Sequence, residues 1–192
     1  MSVVDGGGHE GPTWFLDRER CRALGLARRS DYGGARPFPH GVVDGFLGEE
    51  RARHLAARFP GPEFPGWMRR DYREQAGRLG QLQRRGFSGV DPSIRHLLAE
   101  LSGMAFLDFL AALTGTEGLI PDPHFRGAGL SLTLPGGHLS LHSDFNRDHA
   151  RHLQRKVTVL YYLGWDWDPS WGGALELWDR SEERRVGKEC RL

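Results

Sequence analysis

The stretch Gly136-Gly137-His138-Leu139-Ser140-Leu141-His142-Ser143-Asp144-Phe145-Asn146 constrains this chain most, because it alternates. His138, Ser140, His142 and Asp144 share one parity; Leu139, Leu141 and Phe145 share the other. In a β-strand, residues two apart point to the same face, their Cα atoms roughly 6.5–7 Å apart. The pattern predicts a strand over 138–144 that turns an imidazole and a carboxylate toward one point. His142 and Asp144 are thus candidate ligands of a 2-His-1-carboxylate iron site. The apolar parity is expected to pack outward against a covering layer. A lone His-x-Asp arises by chance roughly once in every two chains of this composition, so the triplet needs context. Taken alone, it reads more simply as an exposed polar strand face.

The context lies downstream. Lys156-Val157-Thr158-Val159-Leu160-Tyr161-Tyr162-Leu163 is β-branched and aromatic, with both parities largely apolar. That composition predicts a central strand packed on each side. A turn containing Asp166-Trp167 follows, then Gly172-Gly173-Ala174-Leu175-Glu176-Leu177-Trp178. From Gly136 to Trp178 these pieces, in this order, resemble the Fe(II)/2-oxoglutarate-dependent oxygenases of the prolyl 4-hydroxylase-like group. The resemblance extends back to about residue 37 through Ile120–Leu134.

The resemblance implies a fold and a chemistry. The fold is α+β with a mostly β core: a partial double-stranded β-helix (jelly roll, cupin-like) under N-terminal covering helices. Strands are expected near 40–44, 125–134, 138–144, 156–163 and 174–178. The cofactors implied are Fe(II), 2-oxoglutarate as cosubstrate and dioxygen, with ascorbate allowed as an accessory reductant. Three protein ligands on one face of the iron leave positions for the other two reactants. A C–H bond is hydroxylated, and succinate and carbon dioxide are released. The resemblance places His142 and Asp144 as metal ligands and Tyr162 near the 2-oxoglutarate carboxylate. Thr158 shares the face of Tyr162. Leu134, Leu160 and Leu175 would line the pocket and keep it dry. Tyr162 reads equally as a core aromatic with a satisfied hydroxyl.

Upstream, residues 1–36 read as an N-terminal extension, Gly-rich and polar over 1–13 and so expected to be disordered there. A short helix is expected within Trp14–Arg29. Residues 37–47 read as a strand leading into a helix whose first turn holds Glu49 and Glu50, where the helix dipole favours them. Its stripe is Leu47, Ala52, Leu55, Ala56 and Phe59, and Pro60 and Pro62 end it. Residues 61–90 give no clear assignment; Arg69-Arg70 and Arg84-Arg85 read as solvated basic surface. Asp91-Pro92 opens a helix as cap and first residue, with Ile94, Leu97, Leu98 and Leu101 on its apolar face. Ser102 is a candidate cap for a second helix carrying Phe106, Phe109, Leu110 and Leu113, closed by Gly115. His40, His54 and His124 read as structural. His149 and His152 fall in an expected loop, Arg147 to Arg155, where the resembled group has no ligand.

Composition bounds the partners. A formal charge of +1 argues against nucleic acid, and no stretch approaches the roughly 20 apolar residues of a membrane helix. No apolar signal region opens the chain. Two cysteines, Cys21 and Cys190, are too few for a disulfide framework, so the cytoplasm is the expected compartment. The substrate is expected to be a small molecule or a protein side chain.

The group's second histidine comes from a strand further downstream, and a basic residue beyond it binds 2-oxoglutarate. No histidine follows His152. Residues 180–192 show no strand alternation, and Arg180–Cys190 resembles the translation of a common sequencing adapter. The expected domain is therefore 37–179, a truncated oxygenase domain with a non-native tail and no activity of its own. Two other readings stand beside it: a non-catalytic jelly-roll binding module, and a cupin-like metal-dependent sugar enzyme.

Overall fold

The computed structural model describes residues 15–72, 75–81, 87–122, 125, 128–178 and 185–188. Among the described residues, four helices precede most of the strands. α1 (Arg18–Gly34) starts at Asp17, whose carboxylate accepts the Arg20 N–H at 2.6 Å. α2 (Glu49–Ala56) carries Glu49 and Glu50 in its first turn, as the sequence predicts. α3 (Pro92–Glu100) is capped by Asp91, which accepts from Ser93 N–H at 2.8 Å. α4 (Met104–Thr114) closes on Gly115, left-handed at φ 70°. Its cap is Gly103 rather than Ser102, whose hydroxyl instead donates to the Leu98 carbonyl at 2.9 Å. No single described helix is long and apolar enough to cross a membrane; α3 and α4 meet at a 44° bend.

Two apolar clusters hold these elements together. In the first, Leu55 of α2 and Ile94 and Leu97 of α3 are buried with Trp67, Val90 and Leu130. Half-buried Leu132, Leu134, Tyr161 and Leu163 pack against them. In the second, Cys21 of α1 is buried with Phe106, Phe109, Leu110 and Leu113 of α4, and Val157 packs on it. Fully burying such a side chain contributes roughly 1.5–3 kcal/mol. α1 and α4 approach closely because Gly25 has no side chain. A Cβ there would stand 2.5 Å from the Phe109 carbonyl oxygen.

The described strands form three small sheets. β1 (Met68–Tyr72), β2 (Gln75–Gln81) and β3 (Leu130–Leu139) make an antiparallel sheet in that order. β4 (Arg147–Asp148) pairs with β5 (Leu153–Gln154), and β6 (Leu175–Trp178) with β7 (Arg185–Lys188). The architecture is α+β, but the described residues do not close into a double-stranded β-helix.

Several expected elements differ. Residues 40–44 form no strand; a turn over 44–47, with Gly45 at φ 64°, takes their place. Pro135-Gly136-Gly137 lies in a bulge inside β3. Thr133 pairs with Arg78 and His138 with Ala76, so four residues of β3 stand opposite one of β2. Pro135 has no N–H to give a ladder, and Gly136 takes φ 74°. β3 then ends at Leu139, so His142 and Asp144 lie outside any strand. Residues 156–163 have no ladder partner among the described residues either. One parity is mostly turned inward: Val157, Tyr161 and Leu163 are half-buried, whereas Val159 of that parity is exposed, as are Thr158, Leu160 and Tyr162. The two-sided packing expected of a central strand is therefore replaced by one-sided packing on the helices. The tail read as lacking strand character contributes β7.

Candidate metal centre

His142 and Asp144 are brought together by local bonds. The His142 Nδ1–H donates to the Ser140 carbonyl at 2.9 Å. This orients the ring and turns Nε2 to Asp144 Oδ1, 3.5 Å away. Ligating histidines commonly donate their other ring N–H to a carbonyl in this way. Two donors on one first-row cation, at about 2.0–2.2 Å each, stand about 3–3.5 Å apart when the angle between them is 90–110°. The pair therefore fits two adjacent positions on a metal ion. Among the described residues no third His, Cys, Asp or Glu joins them.

A hairpin completes the surroundings. The segment expected as a loop, 147–155, is β4, a turn and β5. Asp148 builds the turn: its carboxylate accepts from Ala150 N–H at 3.1 Å and meets the Arg151 guanidinium at 2.9 Å. His152 adopts φ 56°, a left-handed conformation in which histidine is enriched. His149 and His152 thus occupy the hairpin turn. The ladder is extended by Arg155 N–H donating to the Asn146 carbonyl at 2.9 Å. Arg155 then lies beside the pair. One of its terminal nitrogens is 3.3 Å from Asp144 Oδ2, and its guanidinium carbon stands 4.9 Å from the centre of the Phe145 ring. Sequence reasoning missed Arg155. Its signal was the Asp148 turn, which folds residue 155 back onto residue 146.

The other site residues divide between two faces. Thr158 and Tyr162 are exposed on one side of the extended segment, and Leu175 opens β6, also exposed. Leu134 is turned the other way, into the cluster around Ile94. Tyr161, not Tyr162, is the inward tyrosine. Burial raises its phenol above the ordinary value, and the nearby Arg51 guanidinium opposes that shift. Between the extended segment and β6, Asp168 caps a single turn, Pro169–Trp171. The Ser170 N–H and hydroxyl hold its carboxyl below the usual range. Trp167 Nε1–H donates to the Gly172 carbonyl at 2.9 Å and packs edge-on to Trp171. This is the Asp-Trp turn expected before β6.

Residues 128–191 match the model of a family described as the 2OG-Fe(II) oxygenase superfamily. The matched stretch holds His142, Asp144, Arg155, Thr158, Tyr162 and Leu175, and runs on through β7. The match supports an oxygenase-type enzyme that uses Fe(II), 2-oxoglutarate and dioxygen. No curated protein and no solved structure matches the chain.

Proposed function

We propose that the chain belongs to a prolyl 4-hydroxylase-like dioxygenase that hydroxylates a C–H bond of a small molecule or a protein side chain. The observation that carries this reading is the facing of His142 Nε2 and Asp144 Oδ1 at 3.5 Å inside the matched stretch. These two atoms would be metal ligands. Ser140 fixes the imidazole through its carbonyl. Iron and 2-oxoglutarate, when bound, supply the oxidising chemistry. Tyr162 and Thr158 share the exposed parity and would hydrogen-bond the cosubstrate carboxylate. Leu160 and Leu175 would exclude water from it. Leu134, turned into the core, would support the sheet from behind. The reading requires one more histidine as third ligand, and none joins the pair among the described residues.

A protein that carries this sequence together with a third histidine ligand provides the test. With Fe(II) under air, it should consume 2-oxoglutarate and release an equal amount of succinate. His142→Ala and Asp144→Ala should each abolish that release, whereas Tyr162→Phe should raise the 2-oxoglutarate requirement and spare the metal. An iron-loaded protein that releases no succinate would refute the proposal.

A further inference from the structure

The hairpin gives Asp144 a second partner, and that partner decides how the carboxylate is presented. Asp144 is half exposed, and an exposed carboxylate on a short side chain can swing. Offered to a cation without restraint, it can bind through one oxygen or both. Bidentate binding uses up a coordination position that a facial-triad metal keeps for other ligands. Here Oδ2 faces Arg155 at 3.3 Å while Oδ1 faces His142. Arg155 is itself restrained. Its backbone N–H is bonded to Asn146, its guanidinium lies over Phe145, and its side chain is only 21 % exposed.

We propose, building on the metal-site reading above, that Arg155 is a positioning residue that holds Asp144 Oδ2 and leaves Oδ1 alone for the metal. Two effects oppose each other. The positive charge of Arg155 repels a cation, but that repulsion is weakened by the solvent around this half-exposed group. The geometric effect is larger: losing a partner that orients a ligand typically costs 10–100-fold in metal affinity.

The test titrates Co(II) into the 192-residue chain and follows paramagnetic broadening of the His142 ring protons by NMR. Arg155→Ala should weaken Co(II) binding about tenfold or more. Arg155→Lys can still reach Oδ2 with one N–H donor and should restore most of the affinity, which also guards against loss of folding in the alanine variant. Equal or tighter binding by Arg155→Ala would overturn the proposal and leave Arg155 as a repelling charge only. Asp144→Ala separates the two claims. If it weakens binding and Arg155→Ala does not, positioning fails and the metal site stands. If Asp144→Ala changes nothing, both fail.

Discussion

His142 Nε2 faces Asp144 Oδ1 across 3.5 Å, in a segment with no strand ladder of its own. A hydrogen bond to the Ser140 carbonyl and contact with Arg155 set the two side chains, not the pleat of a sheet. The arrangement depends on the β4–β5 hairpin, which carries Arg155 back to Asn146.

The helical layer makes a stability prediction. Gly25→Ala should gain about 1 kcal/mol of helix propensity. The added Cβ would meet the Phe109 carbonyl oxygen at 2.5 Å and Ala112 Cβ at 2.9 Å. Overpacking of that kind costs about 1–3 kcal/mol, and backbone gives way less readily than a side chain. A net loss is expected, seen as a thermal midpoint several degrees lower. An unchanged or higher midpoint would show that α1 and α4 are not packed this closely.

Alkaline pH should destabilise the fold. Burial raises the Cys21 thiol above its ordinary value of 9.0 and the Tyr161 phenol above 10.0. Both groups are neutral below those values, so their contribution is complete there. Above them the unfolded chain releases protons that the folded chain keeps, and stability falls. Thermal midpoints should therefore decline from about pH 9 upward, and Cys21→Ala should flatten the first part of the decline. A profile identical in the variant would contradict the burial of Cys21.

Exposed apolar side chains between residues 139 and 171 predict self-association. Leu141, Leu160 and Trp171 are 65 %, 54 % and 64 % exposed, and Leu139, Phe145, Val159 and Trp167 are exposed with them. Exposed apolar surface on this scale favours association. Light scattering of the 192-residue chain should show mass rising with concentration, and Leu141→Lys with Leu160→Lys should reduce it. A monodisperse monomer at high concentration would argue that this surface is covered in solution.

Punctuation residues made the helices legible. Asp91-Pro92 marked the start of α3, Gly115 marked the end of α4, and Ile94, Leu97, Phe106, Phe109, Leu110 and Leu113 are buried as their spacing required. The sheet was less legible. β1 and β2 fall in a stretch rich in Arg, Gln and Gly, residues with no marked strand preference. Alternation over 138–144 predicted a strand, but period 2 records only which residues would share a face. It does not supply a neighbouring strand, and β3 ends at Leu139. The His142–Asp144 pairing was legible because the two residues are close in sequence. Arg155 was not, because its approach depends on a turn made by Asp148 and His152.

The central claim is that His142 and Asp144 hold one metal ion together, and a double-mutant cycle on Co(II) affinity tests it most directly. Residues serving one site are not additive. His142→Ala and Asp144→Ala should each remove most of the binding seen by Co(II)-induced paramagnetic relaxation of the amide protons of residues 140–146. The double variant should lose little more than either single one. Independent, additive losses, or Co(II) binding at this segment that survives both substitutions, would contradict the claim.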